Sequence, residues 1–184
     1  MFFVFLKWLF LIPIELSSSI IAKALCPILP FFVDPKTKRL PDWLSWFRTL
    51  HCDADGDPDH RAKHPGTGFW ATWWRRTTWL WRNSAYGFSL SVLGVQTRPS
   101  DFLKTIGNPE AGDSVRIPGY CNRYLYRNKK LLAFHWYGVW FYHVLSYEGC
   151  IRWSFGWKLW NRLGEVAQFH CYFNPCKAIR RVDR

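Results

Sequence analysis

Residues 150–160 constrain the fold more than any other stretch. Ile151, Trp153, Phe155, Trp157 and Leu159 alternate with Arg152, Ser154, Gly156 and Lys158. A period of two places one set on each face of an extended strand, and no helix accommodates it. One face is apolar and the other polar, which predicts a half-buried antiparallel strand. Lys130–Leu145, rich in Phe, Trp, Tyr and Val, ends at Tyr147-Glu148-Gly149 and predicts the partner of an earlier hairpin. Asn161–Glu165 reads as a turn, Val166–Phe173 as the returning strand and Val115–Tyr126 as a further one. The expectation is a β-meander of about four to six strands in an α+β fold, with the helices ahead of it in sequence.

The first 34 residues differ from the rest. Met1–Val33 is apolar but carries Lys7, Glu15, Ser17–Ser19 and Lys23, with prolines at 13, 27 and 30. No uncharged stretch reaches the ~18–20 residues of a simple transmembrane helix, and the pattern of a cleaved secretory leader is missing. At 100° per residue Lys7, Ser18, Glu15, Ser19 and Lys23 fall within an arc of about 160°. Phe2, Phe3, Leu6, Leu9, Phe10, Ile20 and Ile21 take the other side. An amphipathic helix lying in the head-group region of a membrane fits this pattern, and so does a helix covering a soluble core. The expected division is therefore a membrane-associating segment, 1–34, and one basic α+β domain, 35–184.

Charge follows the same division. The chain has 25 Lys plus Arg against 13 Asp plus Glu, a net +12, and residues 1–34 are neutral, so the excess belongs wholly to the remainder. Such a surface attracts anions: phospholipid head groups, nucleic acid or an acidic protein. Lys36, Lys38 and Arg39 follow the apolar segment at once, which predicts an exit on the cytoplasmic side.

The 13 Trp residues sharpen this. Pro41 and Asp42 start a short helix that puts Trp43, Trp46 and Phe47 on one face. Phe69–Asn83 reads as a helix with Trp70, Trp73, Trp74 and Trp81 near one side, flanked by Arg75, Arg76 and Arg82. Interleaved Trp and Arg suit a bilayer surface and equally a single-stranded nucleic acid. The expected membrane-interface residues are Lys7, Trp8, Lys36, Lys38, Arg39, Trp43, Trp46, Trp70, Trp73, Trp74, Arg75 and Arg76. Ala85–Gly94 reads as a turn into a first strand.

Between the two Trp-rich stretches lies His51-Cys52-Asp53-Ala54-Asp55-Gly56-Asp57-Pro58-Asp59-His60. Asp53, Asp55, Asp57 and His60 could hold a divalent cation, the only cofactor the chain suggests, and with it support a metal-dependent hydrolase. The loop lacks the closing Glu of a calcium hand, and an acidic turn docked on the basic body is the competing reading. No nucleophile elbow, phosphate loop, zinc-protease or dinucleotide motif occurs, so no catalytic residue is assigned. His135, His143 and His170 read as packed or surface residues. The six cysteines have no C-x-x-C pair and irregular spacing, which predicts free thiols.

The chain contains the words Leu40-Pro41-x-Trp43-Leu44-x-Trp46-Phe47-x-Thr49, Asp55-Gly56-Asp57, Trp79-Leu80-Trp81-Arg82-Asn83-x-Ala85-Tyr86-Gly87-Phe88, Cys150-Ile151-Arg152-x-x-x-Gly156-Trp157-Lys158 and Ala167-Gln168-Phe169 with Asn174-Pro175-x-Lys177. In this order they resemble a family of uncharacterised small proteins of tailed bacteriophages and prophages. Ser84 stands where that family commonly has Pro. The resemblance implies a viral origin, action inside a bacterial host and association with its inner membrane. The resulting expectation is a protein on the cytoplasmic face of that membrane, acting by contact with a host or phage protein rather than as an enzyme.

Overall fold

The computed structural model describes residues 1–111, 117–160 and 163–182. An apolar N-terminal helix comes first, then short helices, then an antiparallel sheet of five strands and a small one of two: an α+β protein. The residues gather into two compact units, Met1–Leu9 with Gly94–Arg184, and Phe10–Leu93.

Helix α1 spans Phe2–Leu25, about 36 Å at 1.5 Å per residue. Its end is fixed by Pro27 and Pro30, which cannot continue a helix, and the chain passes into a 3-10 turn at Leu29–Phe32. Pro13 has no amide to offer the Leu9 carbonyl, so the hydrogen-bond ladder is interrupted close to where α1 leaves one unit for the other.

In the unit Phe10–Leu93, Trp43 and Trp46 lie on a 3-10 turn, Asp42–Phe47, where the sequence predicted a short helix. Helix α2, Pro58–Lys63, is started by Asp57, which accepts the His60 amide at 2.7 Å, and by Pro58 in the first turn. Helix α3, Phe69–Arg82, is the one predicted. Helix α4, Tyr86–Ser91, replaces the expected turn into a strand. The buried cluster Cys26, Leu29, Val33, Leu40, Leu44, Ala54 and Leu80 joins the end of α1 to the loops and to α3.

In the other unit, β1 (Val95–Gln96) pairs with β6 (Val166–Ala167). The main sheet runs β2-β3-β4-β5-β7, a meander in which every neighbour is antiparallel. The strands are β2 Phe102–Gly107, β3 Gly119–Arg127, β4 Lys130–Val144, β5 Tyr147–Trp157 and β7 Phe169–Arg181. The expected strand from Val115 thus begins at Gly119, with 115 and 116 outside the described residues, as are 161 and 162 of the expected turn.

The predicted solvent-facing side of β5 is also covered, because Ser154 is buried as well as Trp157. The aromatic face takes the start of α1: the Phe5 ring lies 6.0 Å from Trp136, and the Trp8 ring 5.7 Å from Phe134 and 5.8 Å from Phe155. The opposite face carries Arg123 and His135 in one register row with Gly156 and His170.

Candidate functional site

Helix α1 is polar toward the protein and apolar away from it. Both Glu15 carboxylate oxygens lie 2.7 Å from the Ser89 hydroxyl, which donates, and Ser18 donates to the Glu15 carbonyl at 2.8 Å. Lys23 sits over the Trp81 ring at 5.8 Å, and Lys7 over the Trp157 ring at the same distance. Burial holds the Glu15 carboxyl above the usual carboxylate range, against the opposing pull of the Ser89 hydrogen bond.

The reverse arc carries Phe2, Phe3, Leu9, Phe10, Ile14, Leu16, Ile20 and Ile21, all exposed. Ser17 interrupts it with a polar group, and Lys7, also exposed, stands at its edge. Beside this arc an open apolar groove of about 510 Å³ runs between Pro13, Ile14 and Ile21 of α1 and Trp46, Phe47 and Phe88. Sequence periodicity gave both arcs. Trp8 is not at the surface: it is 7% exposed and its indole donates to the His170 carbonyl at 3.2 Å.

Aromatic residues of the same unit extend the apolar surface. Trp43, Trp46, Trp70 and Trp74 are exposed. Phe31, Phe69, Trp70, Trp73 and Trp74 form a chain of rings with centroid separations of 6.3, 5.0, 6.0 and 6.2 Å. Phe32 packs edge-on to Trp43 at 5.5 Å, and Trp73 is tied down by donating to the Pro27 carbonyl at 2.9 Å. Lys36 and Arg39 are exposed in the turn that follows Phe32.

Arg75 and Arg76 are turned away from such a surface. Asp55, 4% exposed, accepts from Arg76 Nε at 2.7 Å, with Arg75 Nη2 at 3.5 Å and Lys38 Nζ at 3.6 Å. Burial opposes ionisation of Asp55, but Arg76, Arg75 and Lys38 together hold its carboxyl below the ordinary range. Asp53 bonds the Asp55 amide and Arg61, and Asp57 caps α2. His60 Nε2 lies 2.9 Å from the Arg75 carbonyl, which only accepts, so that nitrogen carries the proton. Gly56, at φ +86°, closes the loop where a Cβ would meet His60 and Trp79 at 2.8 Å. Among the described residues no group of three or more His, Cys, Asp or Glu side chains could hold a metal ion. The four residues are engaged separately: Asp55 with Arg75 and Arg76, Asp53 with Arg61, Asp57 at the start of α2 and His60 with the Arg75 carbonyl.

One buried polar group drew no functional expectation from the sequence. His135 Nε2 lies 2.9 Å from Ser154 Oγ, and the Leu159 amide donates to His135 Nδ1 at 3.3 Å. Since Nδ1 accepts, the proton is on Nε2 and His135 donates to Ser154. It cannot take the serine proton in this tautomer, so the pair is not an activated nucleophile. Burial, with the nearby charges of Arg123 and Lys158, pushes the imidazole down to about 3, which keeps it neutral. Arg123, itself buried, donates to the Leu159 carbonyl at 2.6 Å and stacks over Tyr137 at 5.3 Å. The alternation of β5 could have pointed to this group had its polar face been read as covered.

Together these observations define an α+β protein with an outward apolar helix and an aromatic surface. The chain belongs to DUF7338, a family of unknown function whose model matches residues 1–181. No curated protein and no solved structure matches it.

Proposed function

We propose that this is a membrane-attached binding protein whose α1 lies in the plane of a bilayer, its Phe2–Ile21 arc in the acyl region. One observation carries the reading: Glu15, Ser18 and Lys23 of α1 engage protein groups, while bulky apolar side chains are exposed from Phe2 to Ile21. In water that arrangement exposes a continuous apolar strip of the kind soluble proteins avoid; against lipid it is the favoured one. Both halves of α1 also have inward residues packed within their units, Trp8 in one and Ala22 in the other, which favours lying along the surface over crossing it.

The exposed Trp43, Trp46, Trp70 and Trp74 suit the head-group depth where indole is preferred. Lys36 and Arg39 supply cations for anionic lipid. The resemblance to small proteins of tailed bacteriophages supports reading the membrane as the inner membrane of a bacterial host, on its cytoplasmic side, with a host or phage protein as the partner. Nucleic-acid binding through Trp–Arg interleaving is less well supported, since Arg75 and Arg76 are engaged with Asp55.

The test is flotation of the full chain with vesicles containing phosphatidylglycerol. Ile14→Asp with Ile20→Asp, both on the outward arc, should leave the thermal midpoint within a few degrees and abolish flotation. Retained flotation of that doubly substituted, folded protein overturns the reading.

A further inference from the structure

The loop joining β4 to β5 is two residues long, Leu145–Ser146, closed by the pair Val144 and Tyr147. Leu145 takes φ +56° and is 87% exposed. Left-handed backbone at such a turn suits Gly, Asn or Asp, and for leucine it costs about 1 kcal/mol. The β3–β4 turn shows the ordinary solution, with Asn128 at φ +50° leading it. The turn thus holds a bulky apolar side chain out at the hairpin apex.

Val144 and Tyr147, the pair that closes the turn, are both exposed, and Arg181 stands across the strand gap from Tyr147. Arg180 then stands opposite Glu148, with which it forms an ion pair, and Lys177 opposite Cys150. Three cations thus run along the tip against one carboxylate. Val144, Tyr147 and Arg181 share the row just behind the apex, and Glu148 with Arg180 stands one row, about 3.4 Å, further back. An aliphatic apex backed by a phenol and guanidinium groups suits the interface of an anionic bilayer.

We infer that the β4–β5 tip is a second lipid-contacting element, inserting Leu145 and Val144 into an anionic bilayer with Arg180, Arg181 and Lys177 at the phosphates. The inference concerns the same membrane as the reading of α1 but rests on residues of the sheet alone.

The experiment measures partition of the full chain onto vesicles of phosphatidylglycerol and of phosphatidylcholine. Leu145→Gly removes the side chain and relieves the backbone, so it should raise the thermal midpoint and weaken partition onto the anionic vesicles tenfold or more. Arg180→Gln with Arg181→Gln should weaken anionic partition and leave the weak neutral partition unchanged. Wild-type partition by Leu145→Gly overturns the inference, whatever the α1 variant does. So does a Leu145→Gly protein that keeps its lipid affinity but loses a co-purifying protein, which would make the tip a protein-docking element. If the α1 variant binds normally while Leu145→Gly does not, the tip stands and the α1 reading falls.

Discussion

At the scale of single residues, Glu15 is the most informative position. A carboxylate in an apolar helix is costly unless it meets a donor, and Glu15 meets Ser89, 74 positions along the chain. Its folded-state affinity for a proton is raised above that of the unfolded chain. The folded state therefore holds more protons, and stability falls as pH rises from the ordinary carboxylate value through the raised one. Glu15→Gln keeps an acceptor for the Ser89 hydroxyl and removes the charge. It should stabilise the protein at neutral pH and flatten the pH dependence above the ordinary carboxylate value, as read from thermal midpoints. The face on which Glu15 lies was legible in the sequence, because a period of 3.6 sorts residues into arcs. Which arc meets protein was not, because that depends on Ser89 on α4, an element the sequence did not reveal.

At the scale of elements, α4 and β2 explain what periodicity misses. Tyr86-Gly87-Phe88-Ser89-Leu90-Ser91 contains a glycine and two serines, poor helix formers in isolation. Packing decides the outcome: a Cβ on Gly87 would stand 2.1 Å from the Ser45 carbonyl oxygen, so α4 presses directly on the 42–47 turn. Glycine to alanine in an exposed helix gains up to about 1 kcal/mol. Here the steric conflict with backbone should win, and Gly87→Ala should destabilise by about 1–3 kcal/mol, measured as a lowered urea midpoint. Strand β2 is a six-residue sheet edge with little burial, so its sequence carries no alternation to read. By contrast β4, β5 and α3 were legible, since each is long enough for its period to show.

At the scale of the whole molecule, α1 is at once a surface and a structural member. Phe5 and Trp8 complete the aromatic layer of one unit, and Ala22 lies buried in the other. Removing residues 1–25 should therefore not yield a soluble body stripped of an anchor. The expected product is an unfolded or aggregated chain, seen as loss of the cooperative thermal transition and of near-ultraviolet circular dichroism. Point substitutions on the outward arc are the informative variants. The Trp8 contact with the His170 carbonyl has a further consequence, for biosynthesis. The two residues are 162 positions apart, and at about 5–20 residues per second a ribosome takes roughly 8–30 s to deliver the second after the first. Throughout that interval the newly emerged helix has no sheet to lie on, and its Phe5 and Trp8 rings stay uncovered until the last strands are made.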